Sequence, residues 1–109
     1  GILVTVASWY VGAHDLIGSE FNDFRNSFSL SGEVIAKLII QAEENGVTIS
    51  RQEIKEDARF LNNRLKAEIA RSAWGIMKYW EIILEEDNQF QQARKLFPEA
   101  VKLSQLARR

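Results

Sequence analysis

The chain has few of the residues that build covalent crosslinks or metal sites. Its 109 residues include no cysteine, one histidine and one proline. The lack of cysteine excludes disulfides and thiolate metal sites, although it does not identify a cellular compartment. No Pro- or Gly-rich linker, internal repeat or low-complexity tract divides the sequence. We therefore expect a single domain over residues 1–109.

The chain also lacks an excess of one charge and a long apolar run. Its net charge is −1, with acidic and basic residues interleaved, so we do not expect nucleic-acid binding. The apolar stretch at residues 2–13 is shorter than the roughly 20 residues that span a bilayer, and no basic segment precedes it. We therefore predict neither membrane insertion nor a signal peptide. Because core-quality residues follow Gly1 directly, with no initiating Met, we expect a domain cut from a longer protein.

The residues that are present favour helices. Apolar residues make up 46% and charged residues 27% of the chain, which is typical of a globular domain. Apolar side chains recur at three- and four-residue steps through most of the sequence. We therefore predict an all-α fold, a single small domain of four to six helices.

Three helices are predicted in the first half. The first runs from about Leu3 to Ile17, although its β-branched residues would also suit a strand, and Gly18 is expected to end it. The second is short and starts from an N-cap at Ser19. The third runs from about Ser31 to Asn45. The predicted inner residues are Leu3, Val6, Tyr10, Ala13 and Ile17, then Phe21, Phe24 and Phe28, then Val34, Ile35, Leu38, Ile39 and Ala42.

The second half has the clearest helix signal. Ser50 and Glu53 match a capping box, in which each side chain satisfies a backbone N–H of the first turn. One long helix should follow, and Gly75 either kinks it or separates it from the next. A last helical region is predicted over about 88–106, with a break at Pro98. The inner stripe predicted for the long helix is Ile54, Ala58, Leu61, Leu65, Ile69 and Ala73.

Candidate chemical groups are better explained by structural roles. His14 and Asp15 have no further ligand at helical spacing, so a metal site is not expected. Ser31 and Lys55 are the nearest approach to a Ser/Lys dyad, but we predict a helix cap and an exposed lysine. The acidic run at 85–87 lacks the alternating ligands and glycine of a calcium loop, and we predict a solvated helix end with Asp87 capping the next helix. We assign no catalytic, cofactor-binding or metal-binding residue.

Aromatic residues are the candidates for an interaction surface. Tryptophan usually anchors helix–helix junctions, because it buries a large area and needs one hydrogen-bond partner. A tryptophan that is instead exposed beside another aromatic residue would indicate a face that docks another domain. The candidate residues for this face are Trp9, Tyr10, Trp74, Trp80 and Phe97.

The second half of the chain resembles a known family. The residues are Leu65-Lys-Ala-Glu-Ile-Ala-Arg71, then Trp74-Gly75, Tyr79, Glu86-Asp87-x-Gln89, and Ala93-x-x-Leu96-Phe97-Pro98-Glu99-Ala100. They are similar to the C-terminal helical segment of the carboxy-terminal processing proteases, or tail-specific proteases, of peptidase family S41. The likeness is strongest over residues 61–100 and extends more weakly to Trp9-Tyr10.

The resemblance implies a function for a parent protein. Such enzymes join a PDZ domain to a core with a serine nucleophile and a lysine base, and they cleave envelope or periplasmic proteins near their C-termini. No catalytic motif of that core has a counterpart here. The segment would therefore be a non-catalytic module of a periplasmic or envelope protease, with the protease core, the PDZ domain or a second copy as partner, and without a cofactor. The alternatives are a free-standing helical adaptor and, less favoured, an enzyme with its own site.

Overall fold

The fold is all-α, as the sequence predicts. The computed structural model describes the backbone of residues 1–96 and the side chains of residues 1–86. Every regular element in that part of the chain is a helix. The helices are α1 (Ile2–Ala13), α2 (Phe21–Ser27), α3 (Gly32–Glu44), α4 (Arg51–Glu56), α5 (Ala58–Trp74) and α6 (Ile76–Leu96).

Helix α5 is the centre of the fold. It packs extensively against α1 and α6 and more lightly against α2 and α4, while α3 packs on α1. Leu65 and Ile69, both predicted to be buried, are inaccessible to solvent. Ala67 and Ala70 are equally buried and lie on roughly the opposite side of the helix, at about 100° per residue. The inner stripe predicted for this helix is therefore too narrow, because α5 has neighbours on two sides.

The first helix ends four residues earlier than predicted. The N–H of Leu16 donates to the carbonyl of Val11, and the N–H of Asp15 donates to the carbonyl of Gly12. This is the hydrogen-bond pattern of a Schellman C-cap, with Asp15 in the left-handed position at φ 50°. Asp is among the few non-glycine residues that occupy this region without a large penalty. Ile17, predicted to face inward, lies beyond the cap and is 77% exposed.

The predicted N-cap of the second helix is also wrong. The helix is preceded by Glu20, and the Ser19 hydroxyl donates to the Leu16 carbonyl instead of accepting from the helix. In the turn that follows the early C-cap of α1, the Ser19 N–H donates to the same carbonyl, so Ser19 closes this turn instead of capping α2. Phe21, Phe24 and Phe28 are nevertheless buried, as predicted.

Two predicted N-caps are confirmed. Ser31 Oγ accepts the N–H of Val34 at the start of α3. Ser50 and Glu53 form both hydrogen bonds of the capping box at the start of α4. The long helix expected from this box is divided, however, because Asp57 leaves the helical conformation at ψ 17°. Ile54 of α4 nevertheless remains buried in the core.

Gly75 separates α5 from α6 at φ 101°, one of the two alternatives left open by the sequence. The predicted helix end at residues 85–87 is wrong, because α6 continues through them to Leu96. Phe97, Pro98 and the rest of the last predicted helical region lie outside the described residues.

Candidate functional site

The four predicted interaction residues that the structure describes do not share one surface. Trp74 is a structural anchor: its Nε1–H donates to the Ser19 carbonyl over 3.1 Å. Its ring lies 5.5 Å from that of Phe21, edge to face, and 5.4 Å from that of Phe24. These contacts attach the end of α5 to the turn before α2, so Trp74 is occupied by internal packing.

Trp9 and Tyr10 belong to a second internal cluster at the end of α1. Tyr10 stacks on His14 with ring centroids 4.0 Å apart and meets Phe28 edge to face at 5.4 Å. The Nζ atom of Lys37 lies over the Trp9 ring, 5.3 Å from the ring centroid. Burial, and secondarily the negative charge of Glu33, raise the pKa of the Tyr10 hydroxyl. This cluster joins α1 to α2 and α3.

His14 has a partner that the sequence did not indicate. Its Nε2 lies 3.5 Å from Oε2 of Glu33 at the start of α3. The two residues are far apart in the chain, and only the packing of α3 on α1 brings them together. Within residues 1–86, no group of three or more His, Asp or Glu side chains is placed to hold a metal ion.

Trp80 is different, because it lies on an exposed apolar surface. Ile76, Met77, Trp80 and Leu84 are 47%, 72%, 48% and 57% exposed. On a 3.6-residue helix they fall within an arc of about 100°. We call these four residues the outer stripe of α6. The Trp80 ring also meets Tyr79 edge to face at 5.1 Å.

Helix α6 thus has two apolar sides. Ile82 is buried, and Tyr79 and Ile83 pack against the same core, so one side is fully used by the fold. A surface helix normally has one apolar face and a charged or polar opposite face. The outer stripe instead places four large apolar side chains side by side in water, which is typical of a surface that another protein covers. It is the candidate functional site of the molecule.

The residues considered for catalysis have other positions and partners in the fold. Ser31 caps α3, as predicted, and Lys55 is exposed on α4. Glu85 faces Arg25, with Oε2 3.8 Å from Nε, and Glu86 faces Arg59, with Oε1 3.6 Å from Nε. The two carboxylates are therefore directed to different cations and do not form an acid pair.

None of the described helices combines the length and the apolar character needed to cross a bilayer.

Comparison with known proteins gives one family. The model of a family of unknown function, DUF8443, matches residues 2–75. The chain belongs to this family, and the match covers α1 to α5 and the glycine before α6. No curated protein and no solved structure gives a significant match.

Proposed function

We propose that this family member is a non-catalytic helical module of a carboxy-terminal processing serine protease of peptidase family S41. It packs on the protease core through the outer stripe of α6. The parent protease cleaves proteins near their C-termini in the periplasm or cell envelope, and its serine and lysine lie outside this chain.

The observation that carries the proposal is the outer stripe. Its four side chains are roughly half exposed or more, and burying them against a second surface would release water from apolar area at about 25 cal/mol per Å². The stripe lies within the part of the chain that resembles the S41 segment. A helix at the end of a protease core, with its inner side already packed, needs such a surface to attach to its neighbour.

The experiment uses the full-length parent protease. Met77, Trp80 and Leu84 are replaced together by Gln, which keeps helix propensity and removes the apolar surface. The control variant replaces Ile17, Ile40 and Phe60 by Gln, because these are also exposed but lie off the stripe. We expect the stripe variant alone to lower the melting temperature of the parent and to reduce its peptidase turnover. Equal melting temperatures and turnover for both variants would exclude docking through the stripe.

A second candidate function uses the same surface. A free-standing helical adaptor would bind a different protein through the outer stripe. The two functions are distinguished by the reading frame upstream of Gly1: a serine protease core supports the module, and its absence supports the adaptor. Self-association through the stripe would instead appear as a dimer mass in light scattering that the Gln variant loses.

A further inference from the structure

A cleft between α5 and α6 contains side-chain donors that have no hydrogen-bond partner among the described residues. Its volume is about 460 Å³, a size that suits a side chain or small molecule. One wall is a face of α5. Its residues follow one another at helical spacing and are Arg59, Asn62, Asn63 and Lys66. The other wall is formed by Ile82, Glu85 and Glu86 of α6, with Leu30 at one end.

Among the described side chains, the charges of the cleft leave one cation without an ion-pair partner. Arg25 pairs with Glu85 and Arg59 with Glu86, at 3.8 Å and 3.6 Å. Lys66 makes no ion pair with any side chain of residues 1–86. Glu85 and Glu86 thus each face an arginine, and among the described side chains the Lys66 ammonium is left without an ion-pair partner.

The two asparagines add donors beside this cation. Within residues 1–86, neither carboxamide donates a hydrogen bond to a protein group. Both are only partly exposed, as is Lys66. Burial, and secondarily the charge of Arg25, lower the pKa of the Lys66 ammonium despite the nearby glutamates. An anion in contact with Lys66 would stabilise its charged form and thereby raise this pKa.

We propose that the cleft binds a carboxylate, with Lys66 as the cationic contact and the Asn62 and Asn63 carboxamides as donors. A carboxylate has two oxygens and about four acceptor positions, which one ammonium and two amides can satisfy. The carboxylate belongs to a free small acid or to an acidic side chain of a peptide. This inference does not depend on the protease assignment.

The test is an NMR titration of the 109-residue chain at low salt. The probes are succinate, an acetylated and amidated Ala-Ala-Glu-Ala-Ala peptide, and the same peptide with Gln. We expect saturable shifts of the Asn62 and Asn63 side-chain amides with succinate, with the Glu peptide, or with both. Succinate alone identifies a free acid as the ligand, and the Glu peptide alone identifies a protein side chain. No saturable shift from either probe, or equal shifts from the Gln peptide, overturns the proposal.

Variants assign the binding to the cleft. Lys66→Met keeps the aliphatic stem and should weaken binding at least tenfold, whereas Lys66→Arg should retain it. Lys55→Met, on the exposed face of α4, is the matched control and should bind as the unmodified chain does. If Lys66→Met loses helical circular dichroism, the double variant Asn62→Ala, Asn63→Ala takes its place, with the same expected loss. Unchanged affinity in the folded variant contradicts the assignment.

Discussion

At the residue scale, the three tryptophans show how environment decides the role of a side chain. Trp74 has its hydrogen bond and two aromatic neighbours inside the fold. Trp9 is half-buried under Lys37, and Trp80 is 48% exposed in an apolar stripe. Their identical chemistry therefore gives two structural anchors and one residue available to a partner.

Two leucines test the difference between core and stripe. Leu65 is fully buried and Leu84 is 57% exposed. Leu65→Ala should lower the free energy of unfolding by about 2–5 kcal/mol, because it leaves a cavity at the centre of α5. Leu84→Ala should change it by about 0.5 kcal/mol or less in the isolated chain. Chemical denaturation measures both, and similar losses would show that the stripe is part of the core.

The pKa of Tyr10 predicts a dependence of stability on alkaline pH. Its pKa is raised above 10.0 in the folded state, so the folded chain keeps a proton that the unfolded chain loses. The contribution of the hydroxyl is complete below pH 10 and decreases as the pH rises through the folded pKa. The stability of the unmodified chain relative to Tyr10→Phe should therefore decrease above pH 10.

The titration itself is measured by phenolate absorbance in a Tyr79→Phe background, which leaves Tyr10 as the single tyrosine. A midpoint at or below 10 would contradict the burial of this ring.

At the scale of the helices, local sequence signals and tertiary packing determine different boundaries. The caps at Ser31 and Ser50 were predictable, because each depends on residues within one turn. The end of α1 at Asp15 was not, since a glycine three residues later is the stronger signal in the sequence. The break at Asp57 was not predicted either, because the apolar pattern continues across it from Ile54 to Ala58 and Leu61.

The capping box should contribute measurably to stability. Ser50→Ala removes the acceptor of the Glu53 N–H and should cost about 1 kcal/mol. Ser72→Ala, on the exposed side of α5, should be neutral or slightly stabilising, because alanine has the higher helix propensity. Thermal or urea unfolding compares the two. Equal effects would mean that the box does not stabilise α4.

The connection between α5 and α6 depends on the backbone of Gly75. At φ 101° and ψ 173° it occupies a region that is almost restricted to glycine, although a Cβ there would meet no atom within 4 Å. Gly75→Ala should therefore cost about 1–3 kcal/mol through backbone strain. Gly12→Ala, inside α1, should stabilise by about 0.5–1 kcal/mol. A Gly75→Ala chain as stable as the unmodified one would contradict this connection.

At the scale of the whole molecule, the position of α5 explains which surfaces remain open. It is covered by α1 on one side and α6 on another, so α6 is an outer helix whose second side has no neighbour among the described residues. The sequence identified Trp80 as a candidate but grouped it with Trp9, Tyr10 and Trp74, which pack internally. Burial depends on which helices are neighbours, and apolar periodicity alone does not give that.

The carboxylate cleft was less accessible to sequence analysis. The sequence shows the acidic residues at 85 and 86 as a cluster but does not show their partners. These are Arg25 of α2 and Arg59 of α5. The spacing of Asn62, Asn63 and Lys66 on one face could have been noticed. The cleft itself is formed only by the register of α5 against α6, which local patterns do not determine.

The most direct test of the account is the rate at which Met77 is oxidised. It is the single methionine of the chain, and its side chain is 72% exposed in the outer stripe. Mass spectrometry follows its conversion to the sulfoxide by dilute peroxide, in the isolated chain and in the full-length parent protease. Docking of the stripe on the protease core predicts oxidation at least tenfold slower in the parent than in the isolated chain. Equal rates would show that the stripe is open in both, and the proposed docking would be wrong.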